Sequence, residues 1–296
     1  MDRGVINHIG VSGGKDSTAL LLWAIHESGY DHETIKVSFC NTGNEAPETI
    51  EYLQMLREKV FPIEEITPEL SFYDLVKKSK RFPGVRARFC TKELKVVPTK
   101  KHITKMIESG ADVVLHSGIR RAESTKRAAQ TEEFIDDPFF DCKVRRPLLN
   151  WSIQDVWDIH KRYGIPRNPL YDMGMTRVGC YPCVLCRKEE IGKIAQRDPA
   201  RIAFLKRMEE EACAIAGHDG VTFFQRSKVP ERFWSKETTW LSPSERTEAG
   251  QVIRLATIED VARWGLESPD VWQMDFDYDE IEEEARSCPS AVGFCE

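Results

Sequence analysis

Short apolar runs alternate with segments of helical period along the first 120 residues of the chain. Residues 5–11 (VINHIGV), 35–40 (IKVSFC), 62–66 and the run ADVVLHSG ending at Gly118 have the length and composition of buried strands. Between them, 17–28 sets Ala19, Leu20, Trp23 and Ala24 on one side at helical spacing. A second helix is expected over 48–59, with Pro47 in its first turn, and a third over 92–108. Strands alternating with helices predict an α/β fold with a doubly wound, mostly parallel sheet covered on both faces. Ligands of such sheets lie at the carboxyl ends of the strands. Loops 12–17, 41–49 and 118–124 each follow a strand, so they are expected to line one crevice.

After about Asp136 the texture changes. A helix over 152–163 takes Ser152 as its N-cap, prolines and a group of cysteines follow, and 187–216 is helical again. The pattern divides the chain into a first domain over 1–186, with the cysteines at its end, and a smaller helical or irregular appendage over 187–296. No internal repeat interrupts this division.

Composition narrows the class. Hydrophobic residues make up 41% and charged residues 30% of the 296, as in an ordinary globular protein. No apolar run approaches the ~20 residues of a membrane helix, and the start lacks a secretory pattern, so a cytoplasmic protein without a membrane partner is expected. Nine cysteines, an odd number with several bunched together, speak for reduced thiols, some of them metal ligands or nucleophiles. A net charge of −6 discourages a nucleic-acid partner, but the charge is uneven. Between Lys77 and Lys105 stand eleven Lys or Arg and one acid, Glu93, whereas seven of the ten residues from Asp275 to Glu284 are acidic. The basic stretch suits a polyanion, with Lys100, Lys101 and Lys105 reading as a solvated helix face. Trp234 and Trp240 read as partial core, and His8, His116 and His160 as structural.

The chemistry begins at the loop after the first strand, S-G-G-K-D-S over 12–17. A Walker A loop needs G-x-x-x-x-G-K-[ST]. Here three residues separate Gly10 from Gly14, and Asp16 stands where Ser or Thr would be. Gly13 and Gly14 permit close backbone approach, and the following helix offers N–H groups to an anion. Lys15 adds a point charge. Asp16 suits a cap on the first-turn amides, or a holder of Mg2+ that bridges phosphate oxygens.

These motifs resemble those of the phosphoadenosine-phosphosulfate reductases and the PP-loop ATP pyrophosphatases, close to the sulfur-transfer enzymes of DNA phosphorothioation. The likeness covers roughly residues 5–190 through SGGKDS (12–17), CNTGNEAPET (40–49), RFCTKELKVVP (89–98), GIRRAES (118–124) and PLLNWSIQDVWDIHKRYGIPRNPLYDMGMTRVGCYPC (147–183). It implies the adenine nucleotide alpha hydrolase fold. The implied nucleotide contacts are Ser12, Gly13, Gly14, Lys15, Asp16, Ser17, Thr42, Gly43, Lys92, Gly118, Arg120 and Arg121. Lys95 joins Lys92 as a phosphate candidate, and Lys15, Asp16 and Arg120 would serve the reaction.

Cys180, Cys183 and Cys186 follow successive C-x-x-C spacings, as in zinc and iron–sulfur loops. The resemblance makes Cys90 the fourth ligand and favours a 4Fe-4S cluster, with zinc as the rival metal. The reductases usually carry two adjacent cysteines where this chain has Phe89 and Cys90. Their nucleophilic cysteine lies near the C-terminus in an E-C-G-type motif, whereas this chain ends Phe294-Cys295-Glu296. Cys295 is nonetheless its candidate nucleophile, and Cys288 has no assigned role. Cys40, Cys142 and Cys213 read as buried apolar residues.

Three functions follow. The first is an ATP-using enzyme that releases pyrophosphate, adenylates its substrate and transfers sulfur to a nucleic acid or small molecule, with a sulfur donor such as a cysteine desulfurase. The second is a reductase of adenylyl sulfate (APS) or its 3′-phosphate (PAPS) that releases sulfite. The third is a non-catalytic nucleotide- or nucleic-acid-binding component.

Overall fold

The computed structural model describes residues 4–84, 87–123, 125–128, 135–224, 229–240 and 252–267. They fall into two compact units, one over 4–69 and 89–181, the other over the described parts of 70–88 and 182–276. The division therefore falls after Tyr181 rather than after Cys186, and the excursion 70–88 joins the second unit.

In the first unit β1 (Val5–Gly10) sits between β2 (Ile35–Cys40) and β4 (Asp112–His116). β3 (Ile63–Ile66), β5 (Ile135–Asp137) and β6 (Cys142–Arg145) complete a six-stranded sheet in the order β3-β2-β1-β4-β6-β5. Every neighbouring pair is parallel except β5–β6. Ile9 pairs with both Val37 and His116, so the parallel strands β1, β2 and β4 release their loops at one edge. After β3 the chain returns to the opposite side of β1, which makes the β1–β4 boundary a topological switch point.

Helices cover both faces, as the alternating pattern requires. α1 (Lys15–His26) buries Ala19, Leu20, Leu21, Leu22 and Ala24. It is wrapped more completely than a one-sided stripe predicts. α2 (Pro47–Lys59) supplies Tyr52, Leu53 and Leu56 to the same cluster, and α4 (Ile153–Arg162) supplies Val156 and Ile159. Ser152 caps α4 as expected, its Oγ accepting from the Asp155 N–H at 3.2 Å while Asp155 accepts from the Ser152 N–H at 2.7 Å. On the other face, Ile103 of α3 (Val97–Glu108) packs with Val113, Leu115, Phe140 and Val144. The helix expected over 92–108 is thus regular only from Val97, after a wider π-type turn at Lys92–Val96. β5 and β6 were not legible in the sequence; each has four residues or fewer, and their apolar anchors Phe140 and Val144 form no run.

The second unit holds the helix Phe72–Ser79, α5 (Lys188–Arg197), α6 (Pro199–Ala216), the antiparallel pair β7 (Lys236–Thr238) and β8 (Ile253–Leu255), and α7 (Ile258–Glu267). The helix expected over 187–216 breaks at Asp198. Its side chain accepts from the Arg201 N–H at 2.9 Å and so starts a new helix, with Pro199 in the first turn. α5 and α7 cross at glycine. A Cβ on Gly265 would lie 2.1 Å from the Lys188 carbonyl oxygen and 2.8 Å from the Gly192 nitrogen. Inside this unit the buried Glu209 of α6 accepts from the N–H groups of Phe223 at 2.7 Å and Ile258 at 3.1 Å. Burial pushes its carboxyl up from 4.5 to about 7 against the pull of those N–H groups.

Two outcomes are expected. Gly265→Ala should lower stability by about 1–3 kcal/mol through overpacking, although alanine is the better helix former, and chemical denaturation followed by circular dichroism measures it. The raised Glu209 carboxyl favours the folded state fully below pH 4.5, and that advantage is lost as pH rises to about 7. Glu209→Gln should therefore flatten the fall in thermal midpoint across that window.

Candidate nucleotide-binding site

Gly10 ends β1, and the chain must turn sharply to start α1. Gly13 carries the turn in the left-handed region at φ +78, where a Cβ would also meet the Thr49 methyl at 2.9 Å. Gly14 is the N-cap of α1 and has no side chain with which to cap it. The loop stiffens itself internally. Ser17 Oγ donates to the Gly14 carbonyl at 3.0 Å and accepts from the Ser12 N–H at 3.1 Å.

The segment around α4 braces this loop from outside. Asn168 Nδ2 donates to the Gly13 carbonyl at 3.2 Å, and the Lys15 N–H donates to the Tyr171 hydroxyl at 3.0 Å. His160 Nε2 donates to the Lys15 carbonyl at 2.9 Å, and burial holds its imidazole neutral. The histidine is a brace, in keeping with its structural reading. Asn168 and Tyr171 were not singled out in the sequence; the only signal was the Asn-Pro step, which also marks Asn168 as the cap of the turn Pro169–Asp172.

Asp16 is held by two cations of the chain itself. It is 2% exposed, with Oδ1 accepting from Arg120 Nε at 2.6 Å and Oδ2 facing Lys15 Nζ at 2.9 Å. Burial pushes the Asp16 carboxyl up, but the Lys15 and Arg120 charges outweigh it and hold the group below its ordinary range. Arg120 is itself 5% exposed. One carboxylate and two cations leave a net charge of +1 beneath the loop. Gly118 lets the chain after β4 approach, since a Cβ there would stand 3.3 Å from the Asp16 carbonyl oxygen.

At the sheet edge a crevice, partly open to solvent, is lined by Ser12 and Ser17, Ser38 and Cys40 of β2, Glu45, Lys95, Thr99 and Gly118. Its floor is neutral. His116 has its pKa pushed down to about 3, chiefly by burial. Burial pushes the Cys40 thiol up, and its Sγ lies 3.3 Å from Thr99 Oγ1. The expected contacts separate here. Ser12, Ser17 and Gly118 line the crevice, and Lys15, Asp16 and Arg120 form one ion cluster at the head of α1. Thr42 spends its hydroxyl on Glu45 at 2.6 Å, next to Gly43 in its turn. Arg121 donates to Asn150 at 2.8 Å, and the exposed Lys92 pairs with Glu93 at 3.9 Å. Glu45, Ser38 and Thr99 were missed, because nothing in a sequence says which side chains of a strand end or a neighbouring helix face a cleft.

The sequence model of the phosphoadenosine phosphosulfate reductase domain matches residues 7–186, more than half of the chain. The chain belongs to this family. An uncharacterised protein of Escherichia phage 186 is 32% identical to it over 77% of this chain and 81% of its own length. The adenosine 5′-phosphosulfate reductase of Bacillus cereus strain B4264 is 30% identical over 54% of this chain and 67% of its own length. Among solved structures, the phosphoadenylyl-sulfate reductase of Candida auris in its phosphate complex is 16% identical, covering 59% of this chain and 81% of that one at a TM-score of 0.43.

The family is enzymatic and binds adenine nucleotides, but the expected metal centre does not assemble. Among the described residues no group of three or more His, Cys, Asp or Glu side chains is arranged to hold a metal ion. Cys90 and Cys180 belong to the first unit, with the Cys180 backbone bridged to Glu45, whereas Cys183 and Cys186 share a turn of the second unit. C-x-x-C spacing brings thiols near one another only when the turns between them close around one point. Cys288 and Cys295 lie outside the described residues, as does the acidic run.

Asp16→Asn should cost about 3–5 kcal/mol at neutral pH, because it leaves Arg120 buried without a counter-charge; urea unfolding measures it. The Asp16 carboxyl titrates below 3.8, so the contribution is present above that pH and lost as pH falls through the lowered value. The difference between wild type and variant should accordingly vanish in strong acid.

Proposed function

We propose that the crevice binds a 5′-adenylyl sulfate and that the protein moves its sulfur in a reductive step. The observation that carries this reading is the Asp16 site, where both carboxylate oxygens are committed to Arg120 and Lys15. The loop therefore offers a net positive base to an anionic phosphosulfate. Ser12 faces the phosphate with its hydroxyl, and Lys15 stabilises charge as the phosphate becomes a leaving group. Cys295 is the candidate nucleophile. Its thiolate would attack the sulfate sulfur, forming an S–S bond while the S–O bond breaks and AMP departs with the electron pair. A dithiol then attacks the cysteine sulfur, releasing sulfite and leaving as its own disulfide.

A second reading has two observations in its favour: Phe89 precedes Cys90 where the reductases usually carry two adjacent cysteines, and Phe294-Cys295-Glu296 differs from their E-C-G-type motif. In it, ATP binds with Mg2+, pyrophosphate leaves, and sulfur from a separate donor displaces AMP on a nucleic acid or small molecule.

Assays on anaerobically purified protein separate the two. Sulfite release from adenylyl sulfate with a dithiol, reduced on the order of a hundredfold by Lys15→Ala, is expected. Pyrophosphate release from ATP without sulfite release would replace the first reading by the second. Tight nucleotide binding with neither product would identify a binding component.

A further inference from the structure

Glu45 supplies the one carboxylate among the described residues that line the crevice, opposite one ammonium, Lys95. Its own loop holds it rigidly. Oε1 accepts from the Thr42 hydroxyl at 2.6 Å, and Oε2 accepts from the N–H groups of Thr42 at 3.1 Å and Asn44 at 3.1 Å. The backbone is anchored as well, through the bridge from Glu45 to Cys180 and the Tyr181 N–H donating to the Asn44 carbonyl at 2.6 Å. This carboxylate cannot swing away from a ligand without dismantling the turn.

Two ionised oxygens offer about four acceptor positions, and three are engaged, so acceptor capacity remains toward the crevice. An O–H group satisfies it. A phosphate does not, because it brings only acceptor oxygens and further negative charge, and like charges in a partly desolvated wall repel.

We propose that Glu45 is a specificity-determining residue that accepts free ribose hydroxyls and rejects a 3′-phosphate, so that the chain prefers adenylates without one. The inference rests on the nucleotide reading above and adds which ribose the crevice takes. Lys95 defines the opposite case: a 3′-phosphate seated on its ammonium would reverse the preference.

Calorimetric titration of the full chain with AMP and with adenosine 3′,5′-bisphosphate tests this, using wild type and Glu45→Gln. The amide keeps the shape and can still accept from the loop, but carries no charge. Wild type should bind AMP about tenfold more tightly, and Glu45→Gln should bring the two within about threefold. A merely structural role would weaken both ligands alike and leave the ratio unmoved. Should the variant fail to fold, the wild-type ratio still decides, because charge exclusion must shrink from low to high salt. Tighter binding of the bisphosphate, equal binding, or a ratio indifferent to both the substitution and salt overturns the role of Glu45. Binding of neither ligand overturns the nucleotide reading itself.

Discussion

A carboxylate sealed under the loop after the first strand decides how this site is built. Asp16 cannot stay ionised at that depth without counter-charges, and Arg120 and Lys15 supply them from β4's exit loop and from the head of α1. The pair ties two strand-end loops together, and Gly118 makes room for the approach. An ion pair this buried is an uncertain source of net stability, yet it is stringent about geometry, because either partner alone would be an uncompensated charge. Its excess of one positive charge then faces the loop that a phosphate would occupy. The same residues serve as a structural clamp and as an electrostatic base.

Around that clamp the loop is positioned by neutral donors and acceptors. Asn168, Tyr171 and His160 each take one backbone group of residues 13–15, which fixes the turn before any ligand arrives. Preorganisation of this kind lowers the ordering cost of binding. The crevice wall continues the principle. The His116 imidazole and the Cys40 thiol stay uncharged, which leaves Glu45 and Lys95 as the charged groups of the lining. Charge selection by a single fixed carboxylate is possible only against such a quiet background.

The second unit shows a different economy. Its helices α5 and α7 meet backbone to backbone at Gly192 and Gly265, and Glu209 joins α6 to the start of α7 through buried N–H contacts. Both features belong to a tightly specified core. The cysteines that a spacing argument gathers into one centre are divided between the two units.

The sequence by itself determined the alternation of strands and helices and the edge at which the loops open. These are properties of nearest neighbours and short periods, which a linear pattern carries. It also marked Ser152 as a cap, because capping is local. Tertiary structure alone decided that Asp16 meets Arg120, 104 residues away. It alone brought Asn168 and Tyr171 onto the loop and turned Glu45 into the crevice. Those outcomes depend on which distant groups compensate a buried charge or an open backbone donor, and the free energy of such pairing is set in three dimensions.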